Sequence, residues 1–119
     1  MSRWDTSSVR NMKAMFDEAS SFDGNISSWS TSAVTDMSYM FNRAPSFNQD
    51  LSKWETSAVT DVSYMFTFAT SFNQDLCAWN DSFSYSNARD IFEDSGCTFQ
   101  GSPLREQGGP FCASSCTNS

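Results

Sequence analysis

The chain contains no histidine. That single absence removes the Ser-His-Asp and Cys-His nucleophilic arrangements and every zinc or iron site that needs an imidazole ligand. Positive charge is scarce: 7 Lys plus Arg stand against 14 Asp plus Glu, for a net charge of -7. A chain of this sign has no basic footprint with which to neutralise a phosphate backbone or dock on an anionic membrane, so no nucleic-acid partner is expected. No apolar run approaches the roughly 18 residues of a membrane-spanning helix, and residues 1–5 lack the apolar region of a secretory signal, so direct membrane insertion is not expected either. What is present is one small domain's worth of sequence, 119 residues with 39% hydrophobic content, 11 Phe and 4 Trp. Such a composition is too aromatic and too poor in charge for a disordered chain, and it should bury a core.

An internal repeat organises most of the sequence. Every tryptophan belongs to one series, Trp4, Trp29, Trp54 and Trp79, spaced by 25 residues. Ser32-Ala33-Val34-Thr35-Asp36-Met37-Ser38-Tyr39-Met40-Phe41 returns as Ser57-Ala58-Val59-Thr60-Asp61-Val62-Ser63-Tyr64-Met65-Phe66, and Ser46-Phe47-Asn48-Gln49-Asp50-Leu51 returns as Ser71-Phe72-Asn73-Gln74-Asp75-Leu76. The fourth copy is eroded, matching at Ser86-Asn87-Ala88-Arg89-Asp90-Ile91-Phe92 only with one inserted residue. A fixed period of this length marks a stacked-repeat architecture. Within one repeat, Val59, Val62, Met65, Phe66 and Ala69 have the spacing of one helix face, which predicts a helix over residues 58–68. Ser57 is its expected N-cap, with Ser7 and Ser32 in the equivalent places, and Asp61 suits the positive end of the helix dipole. The remaining segment predicts a short strand over residues 75–78. Stacking such units predicts a parallel sheet on one side and helices on the other. The Trp series, Trp4, Trp29, Trp54 and Trp79, is expected in the core. Asp23, Asn48 and Asn73 are expected to form a side-chain ladder that satisfies backbone groups between layers.

The text Trp-x-Thr-Ser-x-Val-Thr-Asp-Met-Ser-x-Met-Phe, followed by Ala-x-Ser-Phe-Asn-Gln-Asp-Leu-Ser, resembles the bacterial-surface-protein repeats, a BspA-like branch of the leucine-rich-repeat superfamily. The resemblance covers residues 4–95. It implies an α/β fold, a leucine-rich-repeat-like right-handed solenoid with one short parallel strand and one short helix per 25-residue coil. It also implies a secreted or cell-surface location, a role in adhesion or ligand recognition, and no shared enzymatic activity. Val62 in place of the usual Met and Gly24 in place of Gln depart from the pattern.

The domain reading is therefore a repeat unit over residues 1–96 and a cysteine-containing C-terminal cap over residues 97–119. All four cysteines, Cys77, Cys97, Cys112 and Cys116, lie in the last third. Their even number and clustering favour disulfides in an oxidising compartment over a four-thiolate zinc site. Four cysteines allow three pairings; position in the repeat favours Cys77–Cys97 with Cys112–Cys116. The first copy lacks a preceding Phe-Asn-Gln-Asp-Leu block, so its edge is expected to be open to further repeats or to a second chain.

For function, the sequence points to a non-catalytic extracellular recognition or adhesion module with a protein or polysaccharide partner. Asp50, Ser52, Lys53, Glu55 and Asp75 are the candidate ligand contacts. A purely structural stalk is the alternative, and a calcium, mineral or ice surface built from the Asn/Asp column (Asn25, Asp50, Asp75) or the Thr/Ser column (Thr6, Thr31 and Thr56 with Ser7, Ser32 and Ser57) is a third reading. No catalytic residue, metal or cofactor is expected: the acid and base candidates are carboxylates, of which Asp36, Asp61, Asp50 and Asp75 are explained by the repeat, while Asp90, Glu93 and Asp94 lie in the eroded copy without a catalytic signature.

Overall fold

Two interleaved sets of backbone hydrogen bonds hold the repeats together. The computed structural model describes residues 8–105 and 108–116. In the third repeat the N–H groups of Val62, Tyr64, Phe66 and Phe68 donate to the carbonyls of Asn87, Arg89, Ile91 and Glu93 in the next repeat, at 2.9 to 3.0 Å. The intervening N–H groups of Met65, Thr67 and Ala69 instead turn back three residues, to Val62, Tyr64 and Phe66. The same alternation runs through the second repeat, where Met37, Tyr39, Phe41 and Arg43 donate to Asp61, Ser63, Met65 and Thr67. Each backbone donor is thereby satisfied either by its own turn or by the neighbouring repeat.

This arrangement corrects the α/β, leucine-rich-repeat-like solenoid. The described residues contain no α-helix, no extended strand and no sheet. Their only regular elements are two 3₁₀ helices, η1 (Cys77–Ser82) and η2 (Tyr85–Asn87). Contact of strand type between repeats is reduced to isolated parallel bridges, Asn11 with Asp36 and Asp36 with Asp61. The expected strand over residues 75–78 is a single bridge residue running into η1.

The expected helix over residues 58–68 is a run of turns, and the backbone shows why. Tyr64 and Phe68 have φ of 60°, each at the third position of a turn closed by an i to i+3 hydrogen bond. A negative φ followed by a positive one is the type II pattern, which a right-handed helix cannot contain. Tyr39 and Arg43, and Ala14 and Glu18, repeat it one and two repeats earlier. Side-chain oxygens complete the diversion. The Ser63 N–H donates to Asp61 Oδ1 at 2.9 Å, and the Ser38 N–H to Asp36 Oδ1 at the same distance. Short polar side chains that bind nearby backbone in this way favour turns over helix. Asp61 is therefore a turn anchor rather than a helix-dipole partner, and Ser57 and Ser32, both exposed, have no helix to cap; Ser7 lies outside the described residues.

The spacing that mimics a helix face does mark the buried side. Val62, Met65, Phe66 and Ala69 are all at most 1% exposed, because successive turns return a side chain inward every three or four residues. Aromatic columns run through this core. Phe16, Phe41, Phe66 and Phe92 stack with centroids 5.5 to 5.8 Å apart, and Phe22, Phe47 and Phe72 form a parallel column 5.7 to 5.9 Å apart. The two columns face each other in each repeat at 4.1 Å. Near-parallel, offset rings of this kind gain beyond the area they bury.

The inserted residue of the eroded copy is visible as a change of register. Phe41 donates to Met65, 24 residues on, whereas Phe66 donates to Ile91, 25 residues on. The extra residue lies near η2, since Ile91 and Phe92 remain fully buried in the places of Met65 and Phe66. Gly96 then packs against the preceding repeat so closely that a Cβ there would lie 2.4 Å from the Thr70 carbonyl oxygen. Only a residue without a side chain fits that approach.

Two disulfides close the C-terminal segment, Cys77–Cys116 and Cys97–Cys112. This corrects the pairing of Cys77 with Cys97 and Cys112 with Cys116. The reason is the direction of the chain: after Cys97 it loops out and returns antiparallel, so that Cys112 pairs with both Asp75 and Phe99 as a bridge residue. The return brings Cys112 back to Cys97 and carries Cys116 on to Cys77. Phe111 is buried and meets Phe83 edge-on at 4.8 Å. Loop-closure entropy assigns each bridge about 3 to 4 kcal/mol of stabilisation.

Candidate functional site

The columns of polar residues that repeat every 25 positions have separate local tasks. Asn25, Asp50 and Asp75 each accept, through Oδ1, the N–H two residues further on, from Ser27, Ser52 and Cys77 at 2.9 to 3.1 Å. Asp23, Asn48 and Asn73 act between repeats instead. Asn48 N–H donates to Asp23 Oδ1 at 2.9 Å, Asn73 N–H to Asn48 Oδ1 at 3.0 Å, and Thr98 N–H to Asn73 Oδ1 at 3.2 Å. The side-chain amides of Gln49 and Gln74 add second donors to Asp23 and Asn48.

The tryptophans line the interior. Trp29 and Trp54 are 4% exposed and Trp79 is 1% exposed, so their faces are not available as a platform for sugar rings. Trp54 and Trp79 each donate from Nε1 to a carbonyl of the preceding repeat, Ile26 and Leu51, both at 3.0 Å. Trp4 lies outside the described residues. Thr31 and Thr56 are likewise buried. Thr31 Oγ1 donates to the Glu55 carbonyl and receives the Glu55 N–H. Thr6 lies outside the described residues.

Of the five candidate contacts, three converge. Asp50, Ser52 and Asp75 line one open concavity of about 290 Å³, together with Gln74, Cys77 and Ala78. Lys53 and Glu55 are exposed and lie outside that lining. Ser52 holds the Asp50 carboxyl below its ordinary range, first by its backbone N–H and then by its hydroxyl. Partial desolvation opposes the shift, and the Lys53 ammonium adds to it. Asp50 is therefore a fixed, ionised acceptor at the edge of the concavity at neutral pH. The sequence assigns Cys77 only to a disulfide and singles out neither Gln74 nor Ala78.

A second concavity, also of about 290 Å³, is lined by Arg43, Pro45 and Phe68. Phe68 is 44% exposed, and the Arg43 guanidinium sits 5.7 Å from its ring centroid. The signal in the sequence was a break in the repeat: Phe68 occupies the position held by Arg43 and Glu18 in the earlier copies.

All four cysteines are in disulfides, so the oxidised chain offers no thiolate for zinc. Two disulfides fit an oxidising, extracellular or cell-surface setting. Among the described residues no helix is long and apolar enough to cross a membrane.

Taken together, the turns, the inter-repeat hydrogen bonds and the two bridges define a small repeat protein closed at its C-terminal end by disulfides. The chain belongs to the family described as "Mycoplasma protein of unknown function, DUF285", whose model matches residues 1–102. No curated protein and no solved structure matches it.

Proposed function

We propose that the chain is a non-catalytic recognition module of an extracellular or cell-surface protein, binding a protein or polysaccharide ligand. The observation that carries this reading is the concavity at Asp50, Ser52, Gln74 and Asp75, where hydrogen-bonding side chains from two successive repeats converge on one accessible surface. Carboxylates held in place by their own turns are pre-organised acceptors, which lowers the ordering cost of binding hydroxyl or ammonium donors. The text shared with bacterial-surface-protein repeats and the two disulfides support the location. A chain with no histidine, in which both carboxylates of this surface are engaged by their own turns, supports binding over catalysis.

A structural scaffold is the second reading. It is favoured by the internal engagement of the Asn/Asp and Thr columns, which leaves little of the repeat pattern for an outside ligand. The burial of Thr31 and Thr56 weighs against a mineral or ice surface, which needs exposed hydroxyls.

The test is retention of the oxidised protein on arrays of glycans and matrix proteins, with calcium and with a chelator. Chelator-insensitive retention of one ligand class that falls at least about tenfold in the Asp50→Asn, Asp75→Asn double variant supports the module. Absence of retention, or retention indifferent to both substitutions, favours the scaffold.

A further inference from the structure

At the rim of the same concavity, the carboxylate of Asp75 and the sulfurs of Cys77 and Cys116 lie within 4.8 Å of one another. We propose that the Cys77–Cys116 bridge is a redox-gated metal site. Once the bridge is reduced, the two thiolates and the Asp75 carboxylate bind one zinc-type divalent cation, with water in the fourth position.

Three observations carry this. First, the ligand atoms are already gathered, and the chain around them is held by bonds other than the bridge. Ala113 N–H donates to the Gln74 carbonyl at 3.2 Å and Leu76 N–H to the Phe111 carbonyl at 3.5 Å. Cys116 N–H donates to Ser114 Oγ at 3.1 Å, and the Cys97–Cys112 bridge anchors the chain four residues before Cys116. Opening Cys77–Cys116 therefore leaves both sulfurs near Asp75. Second, Asp75 Oδ1 is fixed by the Cys77 N–H at 2.9 Å, which orients the carboxylate and leaves its second oxygen for a metal. Third, the two bridges differ in access. Cys77 and Cys116 are partly exposed, whereas Cys97 and Cys112 are 4% and 0% exposed, so a reductant in solution meets the outer bridge first. Two sulfurs and one carboxylate oxygen with an open fourth position make a coordination set that zinc accepts.

The chemistry balances with a dithiol as reductant. Its two hydrogens pass to the sulfurs of Cys77 and Cys116 as their mutual bond breaks, and the reductant leaves as its own cyclic disulfide. Binding of Zn²⁺ then displaces both thiol protons to solvent. Exchange with an oxidised dithiol, which takes up the two electrons and leaves as the free dithiol, restores the bridge and releases the ion.

The test is mild dithiol treatment of the full chain followed by alkylation and peptide mass mapping, with and without Zn²⁺. The expected result is two thiols per chain, at Cys77 and Cys116, both protected from alkylation by one equivalent of Zn²⁺. Cd²⁺ in its place should give thiolate charge-transfer absorption. Asp75→Asn keeps the turn through its amide oxygen and should weaken Zn²⁺ binding at least about tenfold. The proposal is overturned if Cys97 and Cys112 open first, if Zn²⁺ protects neither or all four thiols, or if Asp75→Asn binds as tightly as the parent. Near-ultraviolet circular dichroism of the stacked aromatics reports whether the reduced chain stays folded; loss of that signal on mild reduction also overturns it. None of these outcomes depends on whether the oxidised chain binds a protein or a polysaccharide.

Discussion

The backbone N–H of Asn73 donates to the side-chain Oδ1 of Asn48, 25 residues earlier, at 3.0 Å, and the Gln74 side-chain amide reaches the same oxygen at 2.8 Å. One side-chain atom thus binds two donors of the next repeat. Asn48→Ala removes both bonds and should cost about 1 to 2 kcal/mol, tempered by the site's exposure. Asn48→Asp retains the acceptor and should cost less. Urea unfolding midpoints of the three proteins check this; equal midpoints would mean that water replaces the ladder without loss.

Turn and helix make opposite demands at Ala14, which is exposed and has φ of 57°. In an exposed helix, Ala→Gly destabilises by about 1 kcal/mol. In a left-handed position, glycine escapes a penalty of about 1 to 2 kcal/mol and forfeits somewhat less in unfolded-state entropy. Ala14→Gly should therefore leave stability unchanged or raise it slightly. A drop of 1 kcal/mol in the thermal midpoint analysis would argue for the helix.

The aromatic columns separate core from surface at neighbouring positions. Phe66 is fully buried between Phe41 and Phe92, while Phe68 is 44% exposed. Phe66→Ala should cost about 3 to 5 kcal/mol. Phe68→Ala should cost well under about 1 kcal/mol, the range of a surface substitution. Similar losses at both sites would contradict the columns as the source of cohesion.

Two carboxylates should move stability in opposite directions as pH falls. Asp50 is depressed in the fold, so its contact with Ser52 adds stability above the unfolded value of about 3.9 and loses it as pH drops through the folded value. Glu93 is raised, first by the charge of Asp90, then by desolvation and by Asp94. The fold then takes up that proton more readily than the unfolded chain, so acidification through the raised value relieves a repulsion. Glu93→Gln should stabilise at neutral pH, with the gain vanishing in acid. Asp50→Asn should make the acid loss shallower. Denaturant midpoints across the acidic range for both variants decide each sign.

Legibility in the sequence followed the kind of information involved. The period of 25, the buried tryptophans and the one-residue insertion before Ser86 are all properties of text, and each has a counterpart in the register of hydrogen bonds. The local conformation is not legible in the spacing, because residues 59 to 69 return to the core every three or four positions whether they coil as a helix or as linked type II turns. Asp61, with Ser63 two residues on, was the available signal, since a carboxylate that binds the N–H two residues later closes a turn. The concavity is legible only in part: the sequence points to Asp50, Ser52 and Asp75 through an expected strand and its exit that the fold does not form, and their neighbours Gln74 and Ala78 come from chain packing.

By itself the sequence determined composition, charge, repeat length and which side chains are apolar, and through these the layered spacing and the content of the core. The tertiary structure decided where each N–H finds its acceptor, which cysteine meets which, and which polar groups share a surface. Those outcomes depend on residues 15 to 39 positions apart in the chain, and an alternating choice between a partner three residues back and one in the next repeat exists only once the next repeat is in place.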